Sequence, residues 1–167
     1  MRDRLTRSDI QKMQEEIEYR RVTLREKLIA DVKEARAHGD LSENFEYHAA
    51  KREKNRNDSR IRYLEKMIKT ARVIDDSSKE DEVGINNTVT VYFEDEKAVE
   101  TYRLVTTVRT DSVNGLISIE SPLGKAILGK KAGERVYVNI NGDAGYYVVI
   151  KEIDKTTDDS MDRINQY

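Results

Sequence analysis

Two carboxylates three residues apart, Asp40 and Glu43, stand out in the stretch AHGDLSENFEYHAAK, with His38 and His48 on either side. A hard cation such as Mg²⁺ takes oxygen ligands and is often held by only one or two protein carboxylates, water and substrate phosphate supplying the rest. Such a pair is too small to form a metal site alone, but it can complete one that belongs to another macromolecule. The two histidines are ten residues apart and the chain has no cysteine, so the spacing is not that of a zinc site. Both are expected on the surface or in a helix seam. The same acids have a purely structural use. Gly39 is suited to end a helix in the left-handed conformation, Asp40 to cap the next one, and Glu43 to complete a D-x-x-E capping box. A carboxylate has more lone pairs than one cap consumes, so both uses remain open. Tyr47 is expected to face the seam with its hydroxyl free.

The elements that must position these groups are helices. From about Ser8 to Asp75 there is no proline and a single glycine, Gly39, and the stretch is dense in Glu, Lys, Arg, Gln, Ala and Leu. Ile10, Met13, Ile17, Leu24, Leu28 and Ala35 recur at coiled-coil spacings, as do Ile61, Leu64, Ile68 and Ala71. Two such helices joined by a short break predict an antiparallel hairpin, whose arms of about 30 residues would reach about 45 Å. The stretch KREKNRNDSR, Lys51 to Arg60, has no apolar residue and is expected to bury little. It is either a solvated face or a cationic stripe of Lys51, Arg52, Lys54, Arg56 and Arg60 that touches nucleic acid or an acidic partner.

After DDSSKEDE, Asp75 to Glu82, the pattern changes to that of strands. NTVTVYF, ETYRLVTTV, GLISIES, ERVYVNI and YYVVIKEI predict five strands, mostly antiparallel, with NGDAG as the last turn. In SPLGKAILGKKAG, Ser121 suits an N-cap and Pro122 the first helical position, so one short helix is expected there. The expected fold class is therefore α+β. Residues 1–76 form an antiparallel coiled-coil hairpin with an acidic tip, 77–82 a linker, 83–155 a sheet domain with one short helix, and 156–167 a loose tail.

Lys and Arg number 30 against 32 Asp and Glu, a balance that excludes a general polyanion binder while allowing a local basic face. The absence of cysteine excludes disulfides and thiolate metal sites. The first residues hold no apolar run of the signal-peptide kind, and no stretch has the apolar length of a membrane span, so a cytoplasmic protein is expected. No nucleophile elbow, glycine-rich phosphate loop or zinc signature occurs, so a self-contained active site is not expected.

HGDLSENFEYHAAK closely resembles the tip of the bacterial Gre transcript-cleavage factors, the GreA type in particular. RVID, Arg72 to Asp75, resembles the end of their hairpin, and ISIESPLGKAILGKKAGERVYV a segment of their C-terminal domain. The resemblance implies a coiled-coil hairpin followed by an FKBP-like domain, and an accessory factor, not an enzyme. Its partners would be bacterial RNA polymerase, at the rim of the secondary channel, and the 3′ end of backtracked RNA. The hairpin would enter that channel, where Asp40 and Glu43 would help hold an Mg²⁺ shared with the polymerase, the chain having no cofactor of its own. Lys51, Arg52 and Arg56 would contact RNA or polymerase, while Ser121, Pro122 and Leu123 would dock on the polymerase. A monomer is expected.

Three features depart from the family pattern. Arg56 and Asn57 are polar where apolar residues are usual. Gly124 and Lys125 replace an Ala-Arg pair, and Phe45 replaces a small residue. The polar mid-hairpin leaves open a Gre-fold regulator that occupies the channel without promoting cleavage, or that inhibits transcription. A stand-alone prolyl isomerase is a poor fit, because the C-terminal half has Phe93 but no tryptophan for a proline pocket.

Overall fold

The computed structural model describes residues 3–39 and 44–166. They divide into two compact units, one built on Ile10–Ala71, the other on Arg4–Asp9 together with the chain from Arg72 onward. Among the described residues no helix is long and apolar enough to cross a membrane.

The first unit is the expected antiparallel hairpin. Its outgoing arm is α1 (Arg7–Glu18, the first turn counted with the other unit), a π-helical turn (Tyr19–Leu24) and α2 (Arg25–Arg36). The returning arm is the single helix α3 (Phe45–Thr70). Met13, Ile17, Leu28 and Ala35 are buried on the first arm and Ile61 and Leu64 on the second, as the heptad spacing predicts.

The stretch from Lys51 to Arg60 differs from expectation, since Asn57 and Arg60 are buried, at 3% and 8% exposed. Their partners lie on the opposite arm. Arg60 donates to both carboxylate oxygens of Glu16, at 2.8 and 3.3 Å, and Arg20 donates to the same carboxylate at 2.7 Å. The Asn57 amide donates to the Arg20 carbonyl and accepts from the Arg20 guanidinium, each at 3.0 Å. Where the seam runs out of apolar side chains, a four-residue polar lock replaces them. Each of its four side chains is hydrogen-bonded to another member, and it sits at the π-helical turn, where the Arg20 carbonyl also accepts from Arg25 N–H five residues on.

The second unit carries a two-stranded parallel ladder, β1 (Arg4–Leu5) on β2 (Arg72–Val73), too short to be read from sequence. Its main sheet comprises β3 (Thr88–Phe93), β4 (Ala98–Val105), β5 (Leu116–Ser118), β6 (Arg135–Asn141) and β7 (Ala144–Asp154), in the order β5-β4-β3-β7-β6. All pairings are antiparallel except β4 with β5. Val89, Val91, Val138, Val148 and Ile150 face inward and pack with Leu123 and Ile127 of the short helix α4 (Pro122–Ile127). The α+β class and the five strands with one short helix are as the sequence predicts.

Two segments of this unit are tied down more firmly than their composition suggests. In the expected linker, Lys155 donates to Ser78 Oγ and to the Lys79 and Glu82 carbonyls, at 2.6–2.9 Å. In the expected loose tail, Ile164 is buried and Asn165 N–H donates to the Val108 carbonyl at 2.8 Å. Asp162 of the tail pairs with Arg103 and, at 2.7 Å, with Arg109. Arg109 is fully buried and also reaches Asp9 at 2.5 Å and Asn86 at 2.8 Å. One apolar residue and one carboxylate suffice to hold the tail because buried partners await both.

Candidate functional site at the hairpin tip

The outgoing arm stops at Ala37, whose N–H still reaches the Lys33 and Glu34 carbonyls, and Gly39 follows at φ +117°, the positive φ expected of a helix-ending glycine. Asp40 and Glu43 lie outside the described residues. The cap assigned to Asp40 is made instead by Asn44, whose Oδ1 accepts from Tyr47 N–H at 3.0 Å, so α3 begins after both acids. Asparagine caps about as well as aspartate, so sequence alone does not rank the two positions. The choice is settled nine residues back: Asn44 Nδ2 donates to the Ala35 carbonyl at 2.7 Å, an oxygen near the end of the outgoing arm. One side chain thus closes the end of one helix and the start of the next.

A second clasp lies beside it. The Arg36 guanidinium sits 5.6 Å from the centroid of the half-buried Tyr47 ring. A hydrogen bond from Arg36, and the charges of Lys51 and Arg36, hold the Tyr47 hydroxyl below its ordinary pKa against a smaller effect of burial. The hydroxyl expected to be free is engaged. His48 is exposed, its ring edge-on to Tyr47 at 5.4 Å, and His38 is exposed as well. Phe45, the first residue of α3, is 86% exposed. Asn44, Arg36 and the exposed Phe45 are the tip features that the sequence reading did not assign to positioning.

The cationic stripe is narrower than its sequence suggests. Arg60 is buried against Glu16, Lys54 pairs with Asp58 at 3.2 Å, and Arg56 pairs with Glu53 at 2.8 Å. Lys51 and Arg52 are exposed. Burial raises the pKa of the Glu16 carboxyl, but hydrogen bonds and charge from Arg60 and Arg20 outweigh it and hold the group below its ordinary value. Among the described residues no group of three or more His, Asp or Glu is placed to hold a metal ion.

In the second unit Ser121 caps α4, accepting from Gly124 N–H at 3.1 Å and donating to the Ser118 carbonyl at 2.6 Å. Pro122 is exposed at the helix start, whereas Leu123 is buried in the core. Gly124 lies against the Ser118 carbonyl so closely that a Cβ would overlap its oxygen, which explains the glycine at this position.

The chain is thus a helical hairpin followed by a sheet unit that carries a serine-proline capped helix. The profile described as "Transcription elongation factor, N-terminal" matches residues 4–73, and that described as "Transcription elongation factor, GreA/GreB, C-term" matches residues 78–155. The chain belongs to the GreA/GreB family of transcription elongation factors. It is 40% identical over 148 residues to the transcription elongation factor GreA of Magnetococcus marinus, covering 88% of this chain and 94% of that protein. It is 44% identical over 137 residues to GreA of Caldanaerobacter subterraneus, covering 81% and 87%. Among solved structures, GreA factor homolog 1 (Gfh1) of Thermus thermophilus aligns at 21% identity and TM-score 0.42, over 92% of this chain and 98% of that one. A GreA/GreB factor from Nitrosomonas europaea aligns at 19% and 0.39, over 92% and 98%.

Proposed function

We propose that the hairpin enters the secondary channel of bacterial RNA polymerase and stimulates the polymerase's own cleavage of backtracked RNA, so that arrested complexes resume elongation. The observation that carries this reading is Asn44. It caps α3 and binds the Ala35 carbonyl, so the cap of the returning helix is made by a residue other than Asp40 or Glu43. In sequence both acids fall between the two arms, and with the cap supplied by Asn44 we assign them the role of oxygen ligands.

Two carboxylates leave most of an Mg²⁺ coordination shell to be filled, which suits a cation shared with the polymerase and with RNA phosphate. When bound, such a cation supplies an activated water and steadies the leaving oxygen. The chain's own part is to deliver Asp40 and Glu43. Lys51 and Arg52 offset phosphate charge, with Arg56 divided between phosphate and Glu53. Docking of the sheet unit falls to the exposed Pro122 and the half-buried Ser121, while Leu123 supports them from within the core. The protein acts in the cytoplasm, where the polymerase is.

The test is RNA length in arrested elongation complexes. The wild-type chain should shorten the RNA from its 3′ end, and Asp40→Ala and Glu43→Ala, made separately, should each slow shortening on the order of 100-fold while polymerase binding persists. Wild-type protein that binds polymerase and leaves RNA length unchanged would overturn the proposal.

A further inference from the structure

We propose that the face of α3 bearing Phe45, His48, Ala49 and Arg52 binds a nucleotide of single-stranded RNA, the Phe45 ring stacking on its base and Arg52 meeting the adjoining phosphate. This rests on the reading that the hairpin meets RNA, and adds to it a base contact that the acids cannot make. Phe45 is the most exposed large apolar residue of the hairpin among the described residues, at 86%. Its ring is in water although its backbone is held on both sides. Asn44, before it, bonds Ala35 and Tyr47, and Tyr47, after it, lies against Arg36.

Positions 45, 48, 49 and 52 are separated by 3, 4 and 7 and so share one face of a helix, and all four are exposed. None is a carboxylate; Glu46 and Glu53 fall on the flank of that face. Arg52 has no ion-pair partner among the described residues, whereas Arg56, the next cation on the same face, is held by Glu53. The rise from 45 to 52 is about 10 Å, and a helical side chain leans toward the N-terminus, so Arg52 is directed back toward the ring. Ala49 leaves the space between them open. An aromatic platform, a gap and a free guanidinium match one base and its phosphate. Base–aromatic stacking is tolerant of sequence, as a factor acting wherever a polymerase stalls requires.

The chain has no tryptophan, so Phe45→Trp places a single fluorophore on this face. A short single-stranded RNA oligonucleotide should quench it saturably, Arg52→Ala in the same background should weaken binding about tenfold, and a duplex of the same sequence should leave it bright. No quenching by the single strand up to roughly millimolar, or equal quenching by the duplex, would each overturn the proposal. In arrested complexes with Asp40 and Glu43 intact, Phe45→Ala and Phe45→Leu should both slow cleavage about tenfold, and Phe45→Trp should restore it. Cleavage by Phe45→Ala at the wild-type rate overturns the stacking while leaving the cleavage function standing. Absence of cleavage by the wild-type chain overturns that function, and the fluorescence titration still decides the strip.

Discussion

Replacing Arg60 by Ala removes two hydrogen bonds from the Glu16 carboxylate while that from Arg20 remains. An exposed ion pair contributes about 1 kcal/mol or less, and breaking a fully buried one costs about 3–5 kcal/mol. With side chains 8% and 16% exposed and Arg20 still in place, Arg60→Ala should destabilise the hairpin by about 2–3 kcal/mol. At about 2 kcal/mol the ratio of closed to open hairpin falls roughly 30-fold. Hydrogen exchange of amides around Glu16 and Arg60, read by mass spectrometry, should accelerate accordingly, while those of the β3–β7 sheet stay as they were. The sharper test is the double replacement Glu16→Leu with Arg60→Met. Apolar side chains need no desolvated charge, so the double variant should cost less than the sum of its single changes, although Arg20 loses its carboxylate partner. An Arg60→Ala loss below about 0.5 kcal/mol would show that water compensates the pair. A double variant no better than the sum of its single changes would show that the two side chains are not coupled.

Three further outcomes follow from the same contacts. Because Glu16 is held below its ordinary pKa of 4.5, its contribution is complete above that value and is lost as pH falls through the lowered one. Helicity of the hairpin should therefore decline in acid below about pH 4.5, less steeply in Glu16→Gln, as followed by circular dichroism. Asn44→Ala should cost about 1 kcal/mol as a lost cap, seen as faster exchange over 45–50, and should reduce RNA cleavage more than polymerase binding because the turn loses its clasp. Gly124→Ala should lower the melting temperature of the sheet unit by several degrees, about 1–3 kcal/mol of overlap with the Ser118 carbonyl, and should weaken polymerase binding without altering the tip.

Periodicity made the architecture legible. Leu28, Ala35, Ile61 and Leu64 could be placed in a seam, and Val89, Val91, Val148 and Ile150 on an inner sheet face, because each fact depends on local spacing alone. Ser121 and Pro122 were readable for the same reason, since a cap and its helix are neighbours in sequence. What sequence did not reveal depends on distant partners. Asn57 and Arg60 read as solvated because the ten residues from Lys51 to Arg60 include no apolar side chain; they are buried because Arg20 and Glu16 lie opposite, 37 and 44 residues away. The π-helical turn has no composition of its own and coincides with that lock. The tail is held by Arg103 and Arg109, more than 50 residues earlier in the chain. At the tip, Asp40 and Asn44 are equally good caps by type, and a carbonyl on the other helix decides between them.

That decision separates shape from chemistry. One amide, that of Asn44, both caps α3 and binds the Ala35 carbonyl, so the start of the returning helix is fixed from outside the interval 40–43. A lineage that preserves Asn44 therefore keeps the cap of α3 and its tie to the outgoing arm in a single side chain.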